Sequence, residues 1–160
     1  MLYELTGTDL AEIFGITETN AIEIISEVGL DMSKWPTVKH FTSWLNLAPN
    51  NKISGGKVLS SRIPKKKNHA GQIFRMAAFA IQRSKNWLAM FYNRIKAKNG
   101  VKKAIVATAR KIAAIFYKLV KERVKFNPIP IEKYMDGFKE NQIKKLKRQA
   151  KNLGLQIVEM

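Results

Sequence analysis

The sequence has no cysteine. That absence removes disulfides, thiolate metal ligands and a cysteine nucleophile together. Histidine is scarce as well: His40 and His69 are the two in the chain, and no motif joins them, so a zinc site is short of ligands. No apolar run approaches the ~20 residues that a bilayer-spanning helix requires. Met1 is followed by Leu2, Tyr3 and Glu4 rather than by a basic leader, which is not how a signal peptide begins; a cytoplasmic protein is expected. There is no internal repeat and no low-complexity tract. The most informative absence is that of carboxylates. From Met32 to Lys121 the chain carries twenty Lys or Arg and neither Asp nor Glu. A Ser-His-Asp hydrolase finds no acid in that stretch.

What is present fits an ordered, basic protein. The chain has 160 residues, 46% of them hydrophobic, enough for one domain with a real core or two very small units. Net charge is +17, and its distribution says more than its size. The first 31 residues hold seven acids and no Lys or Arg, and acids return only at Glu122. Basic residues in a stretch without internal partners need external anions, and a nucleic-acid backbone is the usual source. Solubility charge on exposed helix faces is the plainer reading. The complete exclusion of acids favours DNA or RNA.

Hydrophobic periodicity predicts an all-α protein: a helical domain with an N-terminal helix-hairpin-helix-like unit and a short irregular or β-hairpin segment around residues 50–64. Three parts are expected: the hairpin-like unit over 1–31, a basic serine-bearing core over 32–126, and a linker with a basic C-terminal helix over 127–160. In the first part Leu5, Leu10, Ile13 and Phe14 precede the Gly15-Ile16-Thr17 turn. Ala21, Ile22, Ile25 and Val28 then share a helical face, with Gly29 as the cap. DNA-binding hairpins of this type hold a phosphate on their turn amides and carry a second glycine where Thr17 stands. Glu18, Glu23 and Glu27 would repel that phosphate, so a packing platform is the better reading.

Pro36 opens a short helix over 35–45, with Val38, Phe41, Trp44 and Leu45 inward and both Trp35 and Trp44 in the core. Residues 69–84 read as a buried alanine-rich helix with Ile73, Met76, Ala77, Ala80 and Ile81 along one side. Residues 86–98 follow, with Trp87, Leu88, Phe91, Tyr92 and Ile95 inward. From Val101 to about Val124 a long helix packs Val101, Ile105, Ile112, Phe116 and Leu119, and projects Lys103, Arg110, Lys118 and Lys121 as a basic ridge. That ridge is either a phosphate track or a solvated face. Beyond Pro128 and Pro130 a last helix is expected from Asp136 to Leu153, with Ile143, Leu146, Ala150 and Leu153 inward. Leu155 to Val158 either form a short strand or fray.

The longest non-helical stretch, residues 46–68, contains Ile53-Ser54-Gly55-Gly56-Lys57. Glycines after the serine permit unusual backbone angles and close approach of a ligand, and their amides can face an anion. Lys52 and Lys57 flank Ser54, and Arg62 and Lys65, Lys66 and Lys67 lie just downstream. An alcohol among cations suits attack on a phosphodiester, where alignment and charge stabilisation dominate. Ser-Gly-Gly is nonetheless a common loop tripeptide, and no base for the serine can be named from the residues. Gly55-Gly56-Lys57 lacks the spacing of a P-loop.

Three stretches together resemble a known family. They are Ile13 to Ile16 through Ala21 to Ser26-Glu27-Val28-Gly29 and Asp31-Met32; Phe41-Thr42-Ser43-Trp44-Leu45-Asn46-Leu47-Ala48-Pro49 running into Ser54-Gly55; and Lys102-Lys103-Ala104-Ile105-Val106-Ala107. The chain resembles the C-terminal transposase domain of the DEDD-type insertion-sequence transposases, the bridge-RNA-guided serine recombinase-like family, over about residues 5–125. Gln149 to Gly154 also look like tails in that family. The resemblance implies that Ser54 is the nucleophile that joins a DNA 5′ phosphate during strand exchange. Lys52, Gly55, Gly56, Lys57, Arg62, Lys65, Lys66, Lys67, Lys103 and Arg110 become candidate nucleic-acid contacts. It further implies DNA as partner, a guide RNA beside it, no membrane, and a homo-oligomer in the full-length enzyme. Mg²⁺ is expected on a RuvC-like domain with four acids that precedes this segment, and no cofactor in the present chain. The chain is therefore expected to be the C-terminal fragment of a longer enzyme, inactive alone. One departure is Lys65-Lys66-Lys67-Asn68, where family members carry a glycine- and arginine-rich stretch; charge is kept, but Lys is a point charge and Arg a planar fork. The rival reading is a non-catalytic basic helical DNA- or RNA-binding module, which gives Ser54 no task. A helical scaffold with a basic surface is the third.

Overall fold

The structure, a computed structural model, describes residues 2–62 and 68–158. The fold is mostly helical, with seven α-helices and one two-stranded antiparallel sheet among the described residues. Two compact units divide the chain, Met1–Asn127 and Pro128–Met160.

The first unit runs α1 (Leu2–Thr6), α2 (Glu18–Val28), α3 (Val38–Trp44), β1 (Asn50–Ser54), β2 (Lys57–Arg62), α4 (His69–Ala80), α5 (Trp87–Asn99) and α6 (Val101–Glu122), with short 3₁₀ turns after α1, α2 and α4. Four helices start on side-chain caps. Thr17 accepts from the Asn20 amide at 3.2 Å while the Asn20 side chain accepts from the Thr17 amide at 3.4 Å. Thr37 caps α3, Asn68 caps α4 and Asn86 caps α5. Each such cap contributes about 1 kcal/mol by satisfying an otherwise orphaned N–H. Gly29 ends α2 with φ +80°.

α6 is the axis of this unit. Its buried face alternates small and large residues: Ala104, Thr108, Ala109, Ile112, Ala113, Phe116 and Tyr117. The alanines let α4 and α5 lie close against it, and the rings fill the space beyond. Phe74 meets Phe116 edge-on at 5.5 Å, Phe41 stacks over Phe116 at 6.4 Å, and Trp35 meets Phe41 at 5.1 Å. Such pairs add about 0.5–1.5 kcal/mol each beyond the area they bury. The Tyr117 hydroxyl donates to the Trp35 carbonyl at 2.7 Å, giving this buried ring a polar anchor.

Several inward faces differ from expectation. In α2 the buried residues are Ala21, Ile24 and Val28, and Ile22 is exposed. Trp35 is buried, whereas Trp44 is exposed at the end of α3. In α4 the core residues are Ile73, Phe74, Ala77 and Ala78, while Met76, Phe79 and Ala80 face out. That helix is apolar nearly all round, so its sequence periodicity cannot choose a face; α6 chooses it through the small residues Ala77 and Ala78. Phe91 and Ile95 are only half-buried.

In the second unit, α7 (Ile131–Asn152) starts five residues earlier than predicted, directly after Pro130. Proline's fixed φ and missing N–H cost nothing at a helix start. No residue of α7 is buried, including Ile143, Leu146 and Ala150. Leu153, just past its end, is exposed. No strand follows over Leu155 to Val158.

Candidate nucleic-acid interface

Ser54 closes β1, and its register partner across the hairpin is Lys57. Between them Gly55 and Gly56 have φ +54° and +75°, the two left-handed positions of a type I′ turn. A Cβ on either glycine would meet nothing within 4 Å. Backbone angle, not space, therefore sets the requirement for glycine. Lys52 pairs with Ser60, and the register slips by one residue between Lys52 and Ile53. Side chains alternate along a strand and cross-strand partners share a face. Lys52, Ser54, Lys57 and Ser60 thus occupy one face of the hairpin, and Ile53 and Val58 the other. Residues 51–59 are all exposed. The tip presents a primary alcohol beside two ammonium groups, in a stretch with no carboxylate of its own.

Arg62 occupies the last position of β2, paired with Asn50. Lys65, Lys66 and Lys67 lie outside the described residues.

The root of the hairpin is held firmly. Leu47 is buried and its amide donates to the Thr42 carbonyl at 2.9 Å. Asn46 is buried with φ +55°, and its carbonyl accepts from the Arg75 guanidinium at 2.7 Å. Burial lowers the Arg75 pKa from its ordinary value. On the other side, the Asn68 amide donates to the Trp44 carbonyl at 3.2 Å while its oxygen caps Gly71 at 2.7 Å. Glu27 of α2 accepts from the Ala70 amide at 2.5 Å, and Glu23 lies 3.7 Å from His69. Two of the acids on α2 therefore face the N-terminus of α4, where negative charge meets the positive end of the helix dipole.

The basic ridge expected on α6 splits in two. Lys118 sits 3.9 Å from Glu122. Lys121 donates to the Tyr117 hydroxyl at 2.8 Å and to the Pro36 carbonyl at 3.4 Å. Those two cations have partners within the chain. Lys103 and Arg110 instead line a groove of about 630 Å³ beneath the hairpin root, together with Lys111. Leu47 and Pro49 approach it from the hairpin side, and Phe91, Val106, Ala107 and Ala114 from α5 and α6. Lys111 Nζ lies 5.6 Å from the Phe91 ring centre and Arg94 Cζ 5.4 Å from it. Sequence reasoning missed Phe91 and Lys111. Phe91 matched the inward periodicity of its helix, and Lys111 stands one residue from Arg110, off the ridge spacing. The signal that was available is the adjacency of Arg110 and Lys111 on a helix followed by no acid for ten residues.

Among the described residues, no group of three His, Asp or Glu is placed to hold a metal ion, and no helix is long and apolar enough to cross a membrane. A comparison with curated proteins finds no match. A family model described as the transposase IS116/IS110/IS902 family matches residues 7–93, more than half of the chain. The match spans α2, α3, the hairpin and α4, and ends within α5.

Proposed function

The chain belongs to the IS116/IS110/IS902 transposase family, and from that premise we propose that Ser54 is the alcohol that attacks a DNA phosphodiester during strand exchange. The observation that carries this reading is the exposure of Ser54 at a type I′ turn with Lys52 and Lys57 on its own face. In the step, the Ser54 Oγ–P bond forms as the P–O3′ bond breaks. The serine is left on a 5′ phosphate, and the hydroxyl proton ends on the departing 3′ oxygen. Lys52, Lys57, Arg62 and Lys65 to Lys67 neutralise the charge that builds on the phosphoryl oxygens. Gly55 and Gly56 let the backbone come close to it.

Among the described residues no group of His, Asp or Glu is placed to hold the Mg²⁺ that the resemblance puts on a RuvC-like domain. Metal-assisted chemistry belongs, in this reading, to a RuvC-like unit, and this chain supplies the alcohol, the cations and the rigid root beneath them. A guide RNA fits the same basic surface. The unit over 1–31 is read as a packing platform, since Glu27 accepts from the Ala70 amide and Glu23 lies beside His69, both at the start of α4.

The test is a transposition assay with the RuvC-like unit supplied, reading detergent-resistant protein–DNA adducts. Ser54→Ala is expected to abolish both adduct and transposition while DNA binding stays within about twofold. An adduct that survives Ser54→Ala rules Ser54 out as the nucleophile. Unchanged transposition favours the non-catalytic binding module.

A further inference from the structure

The groove beneath the hairpin has the chemistry of a nucleotide rather than of a phosphate alone. Its walls are apolar, from Leu47, Pro49, Phe91 and Val106, and cations stand over them at Lys103, Arg110 and Lys111. Lys103, Arg110 and Lys111 are exposed, and Phe91 is half-buried. A pure phosphate track has no use for an apolar wall. An apolar protein partner would meet three ammonium or guanidinium groups, with no carboxylate anywhere from Met32 to Lys121 to balance them. The ligand class that satisfies both halves is a flat apolar ring joined to an anion.

We infer that this groove binds an unpaired DNA nucleotide, its base stacked against Phe91 and its phosphate held by Lys103, Arg110 and Lys111. The inference rests on the reading of the hairpin as a DNA-handling element and adds a second, base-sensing site to it. Lys111 now covers the Phe91 ring as an exposed cation–π contact. A base stacked on an aromatic is worth more than such a contact, so the base displaces the ammonium, which then reaches the phosphate. The strand is assigned as DNA because the proposed strand exchange acts on DNA; among the described residues, Ser61 supplies the one side-chain hydroxyl lining the groove. Ser61 lies opposite Asn51, three residues before Ser54. At about 3.3 Å per strand residue the groove is roughly 10 Å from the tip. A base held there tells the hairpin whether the strand close to the attacked phosphate is unpaired.

The experiment uses the 160-residue chain and fluorescent 2-aminopurine oligonucleotides, single-stranded and fully paired, each with a matched abasic version and an RNA counterpart. The expected result is quenching of 2-aminopurine in the single strand but not in the duplex. Affinity should fall on the order of tenfold when the stacked base is replaced by an abasic site. Phe91→Ala should remove the quenching. Since that variant can disturb packing, Arg110→Ala serves beside it, and should weaken binding while leaving the quenching at saturation. Equal affinity for abasic and intact strands, with salt-sensitive binding retained, overturns the groove while sparing the DNA-binding reading. Absence of salt-sensitive binding overturns both. Tighter binding and stronger quenching with the RNA strand overturn the assignment to DNA.

Discussion

The Arg75 guanidinium donates to the Asn46 carbonyl at 2.7 Å, and this one bond ties the middle of α4 to the residue where the chain turns out of α3 toward the hairpin. Asn46 is buried in a left-handed conformation, so its carbonyl has little access to water. Removing the donor loses a charge-assisted hydrogen bond, at about 1.5–3 kcal/mol. Arg75→Ala is expected to lower the midpoint of thermal unfolding by several degrees, and Arg75→Lys to recover only part, since an ammonium lacks the planar reach of the guanidinium. Circular dichroism melts check this. A melt within one degree of wild type for Arg75→Ala contradicts the assignment.

Two kinds of glycine should behave differently. A Cβ on Gly71 would lie 2.2 Å from the Leu45 carbonyl oxygen, and both are backbone-fixed. Gly71→Ala must therefore push α4 away from α3, with an expected loss of about 2–3 kcal/mol or more across the whole unit. At Gly55 and Gly56 there is room but a positive φ. Alanine there strains the turn by about 1–2 kcal/mol per residue, and only the exposed hairpin feels it. Urea denaturation should show a lower midpoint for Gly71→Ala and a nearly unchanged one for Gly55→Ala. The latter should lose strand exchange instead. A large global loss from Gly55→Ala would mean that the hairpin tip is packed against the body.

The helices were legible where one face is polar and the other is not; the segment around residues 50–64 was legible as non-helical from its turn formers, which left irregular chain and a β-hairpin both open. Inward faces were less so. Met76 and Ala80 fit the periodicity of α4 as well as Phe74 and Ala78 do, and only the shape of α6 decides between them. The start of α7 was misread because a proline pair looks like a linker, yet Pro130 is its N-terminal flank. At the candidate site, Ser54 with its two lysines followed from sequence. The split of the α6 ridge did not follow in full: Lys118 meets Glu122 four residues on, but the partners of Tyr117 and Lys121 are Trp35 and Pro36, more than eighty residues away.

Tyr92 and Thr108 are fully buried, and neither hydroxyl has a hydrogen-bond partner among the described residues. A buried polar group without a partner is a liability, whereas an apolar replacement of the same shape is nearly neutral or stabilising. Tyr92→Phe and Thr108→Val are expected to leave stability unchanged or to raise it by about 1 kcal/mol, read as an equal or higher urea midpoint with the same slope. A drop of more than about 1 kcal/mol in either would falsify the claim that these hydroxyls are unpaired.

The four cations of the α6 ridge should separate by salt dependence. Lys103 and Arg110 line the groove, whose described lining residues include no carboxylate, while Lys118 faces Glu122 and Lys121 bonds to Tyr117 and Pro36. Each phosphate contact contributes about 0.9 to the slope of log K against log salt on duplex DNA, and about 0.7 on a single strand. Lys103→Ala and Arg110→Ala are therefore expected to flatten that slope by nearly one unit apiece on the strand they grip. Lys118→Ala should leave it alone, because an exposed pair spaced four residues apart on one helix contributes only about 0.3–0.5 kcal/mol, and its charge is already balanced locally. Lys121→Ala should lower the unfolding temperature instead of the slope, since its ammonium bridges the end of α6 to the Pro36 carbonyl. Binding titrations at four salt concentrations, with a melt of each variant, separate the two roles. Four equal slopes across the variants would mean that the ridge acts as one diffuse field, and the groove would lose its special standing.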